Sequence, residues 1–183
     1  HRVPFIVRWP GVVEPGRINH NLISLNDWYA TTAEVLDIDL ATDQGVDSVS
    51  IIPLLKGSTK PVRDTVIHHT SNGNFGIRKG DWKLTLTYGS GGWSPKSTVS
   101  DKQAKKRGWP PIQLYNICRN IQEQRNLQDE KPGKVIELYR NLKKEIRRGR
   151  STPGPKQKNA VSVDIWKGNY EGRKKVEKLM SSD

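Results

Sequence analysis

Two adjacent histidines, His68 and His69, stand among β-branched and apolar neighbours in Val66-Ile67-His68-His69-Thr70, and they are the residues of this chain best suited to chemistry. Histidine donates, accepts and titrates near neutrality, so a pair within a strand is the first place to look for function. Successive strand residues face opposite ways; one of the two can face a given pocket while the other packs or is solvated. Asp37, Asp39 and Asp43 with Gly45 superficially suggest calcium, but an EF-hand needs Asp or Asn at alternate positions, a Gly at the sixth and a Glu at the twelfth, and these residues do not meet it. Cys118 is the only cysteine, so neither an internal disulfide nor a cysteine-built zinc site is possible within one chain, and it reads as a free structural thiol.

The histidines need a sheet to hold them. Phe75 and Ile77 alternate with Gly76 and Arg78, Lys79-Gly80-Asp81 turns the chain, and Trp82, Leu84 and Leu86 then alternate with Lys83, Thr85 and Thr87. Period-two alternation on both sides of a Gly-containing turn predicts a hairpin. Its apolar face, Phe75, Ile77, Trp82, Leu84 and Leu86, is expected to pack on a core while the other stays wet. The Gly89 to Ser94 loop with Trp93 follows and lacks the Gly-Lys-Ser/Thr end of a phosphate-binding loop; it reads, with the lysine-rich stretch to Gly108, as mobile. Ile112 to Ile117 predicts a third strand. Pro132 opens an amphipathic helix over 133–148, with Val135, Leu138, Tyr139, Leu142 and Ile146 on one face.

Upstream, the apolar run 3–9 ends at Pro10-Gly11 and predicts a buried strand, yet the sequence that would supply its neighbours is not here. Ser24 is placed to cap a helix from Leu25 to Leu36, with Asp27 complementing the cap, and residues 37–48 read as a loop. Residues 50–55 predict a short helical turn. Residues 150–159 read as irregular, and 161–183 as polar with at most a short terminal helix.

The 183 residues are 33% apolar, a low value for a self-sufficient core. The mean hydropathy of -0.73 points the same way. No charged and then apolar leader opens the chain, and no apolar run approaches the ~20 residues that span a bilayer. The first residue is His1 rather than Met, so the chain is expected to be processed or to be a piece of something longer, starting partway into a larger sheet. Net charge is +12, but residues 1–95 hold nine Lys/Arg and nine Asp/Glu while residues 96–183 hold 22 and ten. The whole excess sits in the second half, and it limits what charge can mean for a site in the first.

Four stretches, in this order, resemble the type I sulfatases. They are His1-Arg2-Val3-Pro4 with Trp9-Pro10-Gly11; Ser24-Leu25-x-Asp27 with Thr31-Thr32, where Ala30 replaces the usual proline; His68-His69 with Phe75-x-Ile77-Arg78-x-Gly80-x-Trp82-Lys83-Leu84; and Gln113-Leu114-Tyr115-Asn116 with Glu123 and Asn126-Leu127, where Asn120 stands for the usual Asp. The resemblance implies an α/β fold, α+β for this segment. Residues 1–60 would be the terminal strand and helix of the large alkaline-phosphatase-like α/β domain, 61–150 a small antiparallel sheet packed on one helix, and 151–183 an irregular basic tail.

It also implies a formylglycine-dependent hydrolase of sulfate esters, an arylsulfatase in the broad sense, with a calcium ion. The formylglycine comes from a Cys/Ser-x-Pro-x-Arg segment, and Cys118 is followed by Arg119-Asn120-Ile121, so it is not that residue. Nucleophile and metal ligands are expected to precede His1, leaving no catalytic and no metal residue in this chain, which is expected to be inactive alone. What remains is substrate contact: His68 and His69 could donate hydrogen bonds to sulfate or sugar hydroxyls, with Lys83 and Trp93 as weaker candidates. The expected partner is a sulfated small molecule or polysaccharide, and the family often works in the periplasm or outside the cell. Two rivals stand beside this reading. One is an inactive fragment. The other is a polyanion- or nucleic-acid-binding module, suggested by the basic second half, although no recognition motif flanks Lys102 to Arg107 or Arg147-Arg148 and the aromatics are not interleaved as a stacking platform.

Overall fold

In the computed structural model, which describes residues 3–70, 72–89 and 101–182, the alternating stretch forms the centre of a four-stranded sheet. Its strands are β1 (Thr65–His69), β2 (Phe75–Lys79), β3 (Trp82–Thr85) and β4 (Gln113–Asn116), hydrogen-bonded in that order. β2 and β3 make the expected antiparallel hairpin, with Ile77 opposite Leu84 and Lys79 opposite Trp82. Gly80 turns it at a φ of 52°, a left-handed conformation that side chains disfavour. β4 adds antiparallel to β3, placing Leu114 opposite Leu84 and Tyr115 opposite Lys83. The free edge of β4 is finished by a side chain: Asn126 accepts from the Leu114 amide at 2.9 Å and donates to the Ile112 carbonyl at 2.9 Å, as a fifth strand would.

Ile77, Leu84, Leu86 and Leu114 on one face are fully enclosed, as the alternation requires. Helix α4 (Pro132–Arg148) lies against that face: Lys79 reaches Glu137 at 3.4 Å, and the Lys134 ammonium sits 5.7 Å from the Trp82 ring centre. Val135, Leu138 and Leu142 supply the helix's buried stripe. The opposite face of the sheet corrects the expectation of a wet surface. Lys83, Thr85, Gln113 and Tyr115 all lie there and all are buried, because partners within the fold replace water at their polar atoms.

Two further helices lie where loop and tail were expected. Helix α3 (Asp101–Lys106) occupies part of the stretch expected to be mobile, and its Ala104 is fully enclosed. Helix α5 (Tyr170–Ser181) runs 12 residues, longer than the short helix expected. Asn169 starts α5 by accepting from the Gly172 amide at 3.0 Å, and its amide nitrogen donates to the Leu86 and Pro111 carbonyls at 3.2 and 2.7 Å. Trp166 donates its indole N–H to the Tyr139 hydroxyl at 3.2 Å, their rings 5.3 Å apart.

By contact the chain divides into two compact units, His1–Val66 with Ile146–Asn159, and Ile67–Glu145 with Ala160–Asp183. In the first unit, helix α1 (Asp27–Val35) is shorter than the sequence suggests and is anchored by polar groups. The Asp27 carboxylate accepts from the Ser24 amide at 2.7 Å and the Val49 amide at 3.0 Å, and it pairs with Arg63 at 3.0 Å; no side chain caps the helix, and the Ser24 hydroxyl accepts from the Asn26 amide at 3.4 Å. The apolar residues of α1 instead face out: Trp28 is 42% exposed and Val35 48%, with Leu25 before the helix at 60%. Residues 3–9 form no strand, and Ile6 is 91% exposed, since an extended segment needs a neighbouring strand to satisfy its backbone. Helix α2 (Ile52–Leu55) is the expected turn. Residues 150–159 are irregular but anchored: the buried Arg150 guanidinium donates to the carbonyls of Thr42, Thr152 and Pro155 at 3.0 to 3.1 Å.

Candidate functional site

The polar face of the sheet collects the groups that could meet a ligand. Each is there because strand alternation puts it there: β1 contributes His68, β2 contributes Gly76, β3 contributes Lys83, and β4 contributes Gln113 and Tyr115. Gly76 is required, for a Cβ at this position would overlap the His68 ring. The His68 imidazole thus lies close against Gly76 in the strand beside it.

Lys83 is held by Glu123, which comes from the connection between β4 and α4 at a φ of 55°. Both carboxylate oxygens accept from the ammonium, at 2.7 and 2.9 Å. Beside them the Tyr115 hydroxyl donates to Gln113 at 2.5 Å, and the Gln113 amide donates to the Tyr88 carbonyl at 2.6 Å. The result is a chain of buried polar groups with fixed donors and acceptors.

These surroundings set the protonation states. Burial, with the Lys83 charge adding to it, holds the His68 pKa down to about 3, so the imidazole is neutral at physiological pH. Burial, and then the Glu123 carboxylate, pushes the Tyr115 phenol up to about 12. A neutral imidazole has one donor and one acceptor nitrogen, which suits a hydroxyl better than it suits an anion.

Of the four residues singled out by the sequence, the fold brings His68 and Lys83 to one face. His69 goes to the other, where it packs edge-on against Phe75 with ring centres 4.3 Å apart. Burial, then the charge of Lys167, lowers its pKa. Trp93 lies outside the described residues. Lys83 is the correction: it is 5% exposed and engaged by Glu123 rather than reaching out from the sheet. Tyr115, Gln113 and Glu123 are the partners that sequence reasoning had not assigned to the site. The alternation in Gln113-Leu114-Tyr115 was the available signal, since it puts both polar residues on the side away from Leu114. Cys118 is exposed and its thiol lies 2.9 Å from an Asp81 oxygen, apart from this face.

Among the described residues, no three His, Cys, Asp or Glu side chains converge as a metal site. No helix among them is long and apolar enough to cross a membrane.

No protein-family profile matches the chain. Individual proteins do. An N-acetylgalactosamine-6-O-sulfatase of Bacteroides thetaiotaomicron is 29% identical over 144 residues, covering 75% of this chain and 26% of the relative. Human arylsulfatase H is 27% identical over 186 residues, covering 91% and 32%. A solved structure concerned with glycosaminoglycan metabolism by Bacteroides thetaiotaomicron superimposes with a TM-score of 0.61 at 28% identity, over 77% of this chain and 28% of that one. The chain is similar to sulfatases along most of its length. It corresponds to the C-terminal portion of that fold, with the four-stranded antiparallel sheet and its helices as the region's small sheet. It spans about a quarter to a third of the length of the sulfatases it matches. The sulfatase segments quoted from the sequence are largely structural here: Asp27 fastens α1, Asn126 finishes β4, and Asn116 accepts from the Arg119 amide at 3.1 Å.

Proposed function

We propose that this chain forms part of the substrate-pocket wall of a sulfuric ester hydrolase acting on a sulfated sugar or aryl sulfate, and that it does not carry the nucleophile. The observation that carries the reading is the convergence of His68 and Lys83 on one buried polar face of a sulfatase-like sheet. His68, kept neutral with both ring nitrogens enclosed, shapes that wall from behind, while Lys83, fixed by Glu123, lends positive field to it without binding sulfate directly. The formylglycine and the calcium ion of the family lie outside the chain. A periplasmic or secreted setting goes with this reading.

Two measurements test it. The 183-residue chain should release no sulfate from N-acetylgalactosamine 6-sulfate or from an aryl sulfate; turnover would overturn the assignment of the nucleophile elsewhere. In a sulfatase polypeptide that contains this segment, His68→Ala should raise KM for the sulfated sugar by about tenfold by loosening the wall, with kcat little changed. An unchanged KM would remove His68 from the pocket wall.

A further inference from the structure

Within the first unit, a cavity of about 370 Å³ opens between residues 40–49 and residues 150–155. That is the lower end of the roughly 300–1,000 Å³ of small-molecule sites, room for one ring and its substituents. Its wall holds Arg150, which is only 7% exposed. A guanidinium buried this far is ordinarily matched by a carboxylate. Here every bond it makes goes to a neutral oxygen. Nε donates to the Thr152 carbonyl at 3.1 Å, Nη1 to the Thr42 and Pro155 carbonyls at 3.0 Å, and Nη2 to the Thr152 hydroxyl at 3.2 Å. These bonds hold the group in place but leave its charge without a counterion among the described residues, and they leave one of its five N–H donors unspent.

The rest of the polar lining is of the same kind, because its acceptors are already taken by the fold. The Gln44 side-chain oxygen accepts from the Ala41 amide at 3.0 Å, which leaves its NH2 group to the cavity. The Ser48 oxygen accepts from the Ala30 amide at 2.8 Å, which leaves its O–H to donate. The Thr42 carbonyl receives both Arg150 and, at 3.3 Å, Gln157. No Asp or Glu lines the cavity, and Asp47 of the same loop turns its carboxylate to the Ser151 amide at 2.8 Å. A cavity with spare donors, a fixed positive charge and spent acceptors is complementary to an oxyanion. Leu40, Val49 and Pro155 add apolar surface beside the donors, against which the face of a ring can lie.

We propose that this cavity binds a monosaccharide carrying one oxyanion group, a sulfo group or a carboxylate, with Arg150 as its counter-charge and Gln44 and Ser48 as neighbouring donors. The choice of a sugar rests on the sulfatase reading above; the choice of an anion rests on the cavity alone. The guanidinium is already fixed by carbonyls, so little ordering is left for the ligand to impose.

The test is calorimetric titration of the full chain with N-acetylgalactosamine 6-sulfate, glucuronate, neutral N-acetylgalactosamine and benzoate. The parent should bind at least one of the two anionic sugars, and the neutral sugar about tenfold or more weaker, the worth of one charge-assisted hydrogen bond. Binding of only one anionic sugar would support the proposal and identify which oxyanion the site takes. Arg150→Gln should weaken binding by about the same factor. Because that change also loosens residues 152–155, a second variant leaves the guanidinium in place. Ala41→Phe fills the cavity from an exposed wall position and should weaken binding about tenfold with an unchanged melting temperature. A control, Lys156→Gln with Lys158→Gln, alters two exposed lysines of the same unit that do not line the cavity, and should bind as the parent does. No binding of any anion by the parent, equal affinity for the neutral sugar, or undiminished binding by either cavity variant would overturn the proposal. Binding of benzoate through these residues, with neither anionic sugar bound, would overturn the choice of a sugar. No turnover enters the titration, so a failure of the hydrolase reading would appear in sulfate release and not in these affinities.

Discussion

Glu123 matters more than its place in a connecting segment suggests. Without it the Lys83 ammonium would remain enclosed beside a neutral strand, the costly half of a broken buried pair. Glu123→Gln is therefore expected to destabilise the fold by about 2 to 3 kcal/mol, below the ~3–5 of a fully enclosed pair because the carboxylate keeps some solvent. Urea unfolding would measure this, and the Tyr115 phenol should titrate lower in the same variant, as followed by tyrosinate absorbance. His68 makes a separate prediction in pH. Its folded pKa, about 3, lies below the ordinary 6.5, so the unfolded chain binds the extra proton. Its contribution is complete above pH 6.5 and is lost as pH falls towards 3, with a slope approaching about 1.4 kcal/mol per pH unit. His68→Gln should flatten the stability profile across that window.

At the level of elements, two short polar side chains hold helices that propensity alone would not place. Asp27 is fully enclosed and satisfies two amides and Arg63, so Asp27→Ala should cost the first unit about 3 to 5 kcal/mol by leaving the guanidinium without its charge. Asn169→Ala removes the start of α5 and two links to backbone carbonyls, and about 2 to 3 kcal/mol is expected from the cap and the stranded acceptors together. Neither anchor was legible as such. An Asp near the start of a helix reads as complementing a cap, but its bond to Val49 and its pairing with Arg63 join residues 22 and 36 positions away. Pattern rules see one turn of helix, not that distance. The β2–β3 hairpin and α4, by contrast, were legible because alternation and 3.6-residue periodicity are local and continuous there.

For the molecule as a whole, the first unit turns apolar side chains to solvent. Leu25, Trp28, Tyr29, Val35 and Leu36 are all exposed, together with Ile6 and Ile18. Apolar surface of this kind, where it is contiguous, marks an interaction face or an aggregation liability. Trp28→Gln with Leu36→Gln should lower binding of a hydrophobic dye and slow aggregation of the 183-residue chain without lowering its melting temperature. A loss of melting temperature would show instead that these residues support the unit's core.

The sequence by itself determined the local matters: a hairpin whose apolar face is Ile77, Leu84 and Leu86, an amphipathic helix after Pro132, and a sulfatase resemblance carried by short segments in order. Each follows from spacing along the chain. Only the tertiary structure decided that the second face of the sheet is buried, that Lys83 belongs to Glu123, and that His68 and not His69 shares its face. Alternation assigns side chains to opposite faces but does not say which face will be covered, because coverage depends on segments far away in sequence. Burial then sets charge, which is why a histidine that titrates near neutrality in water is neutral here.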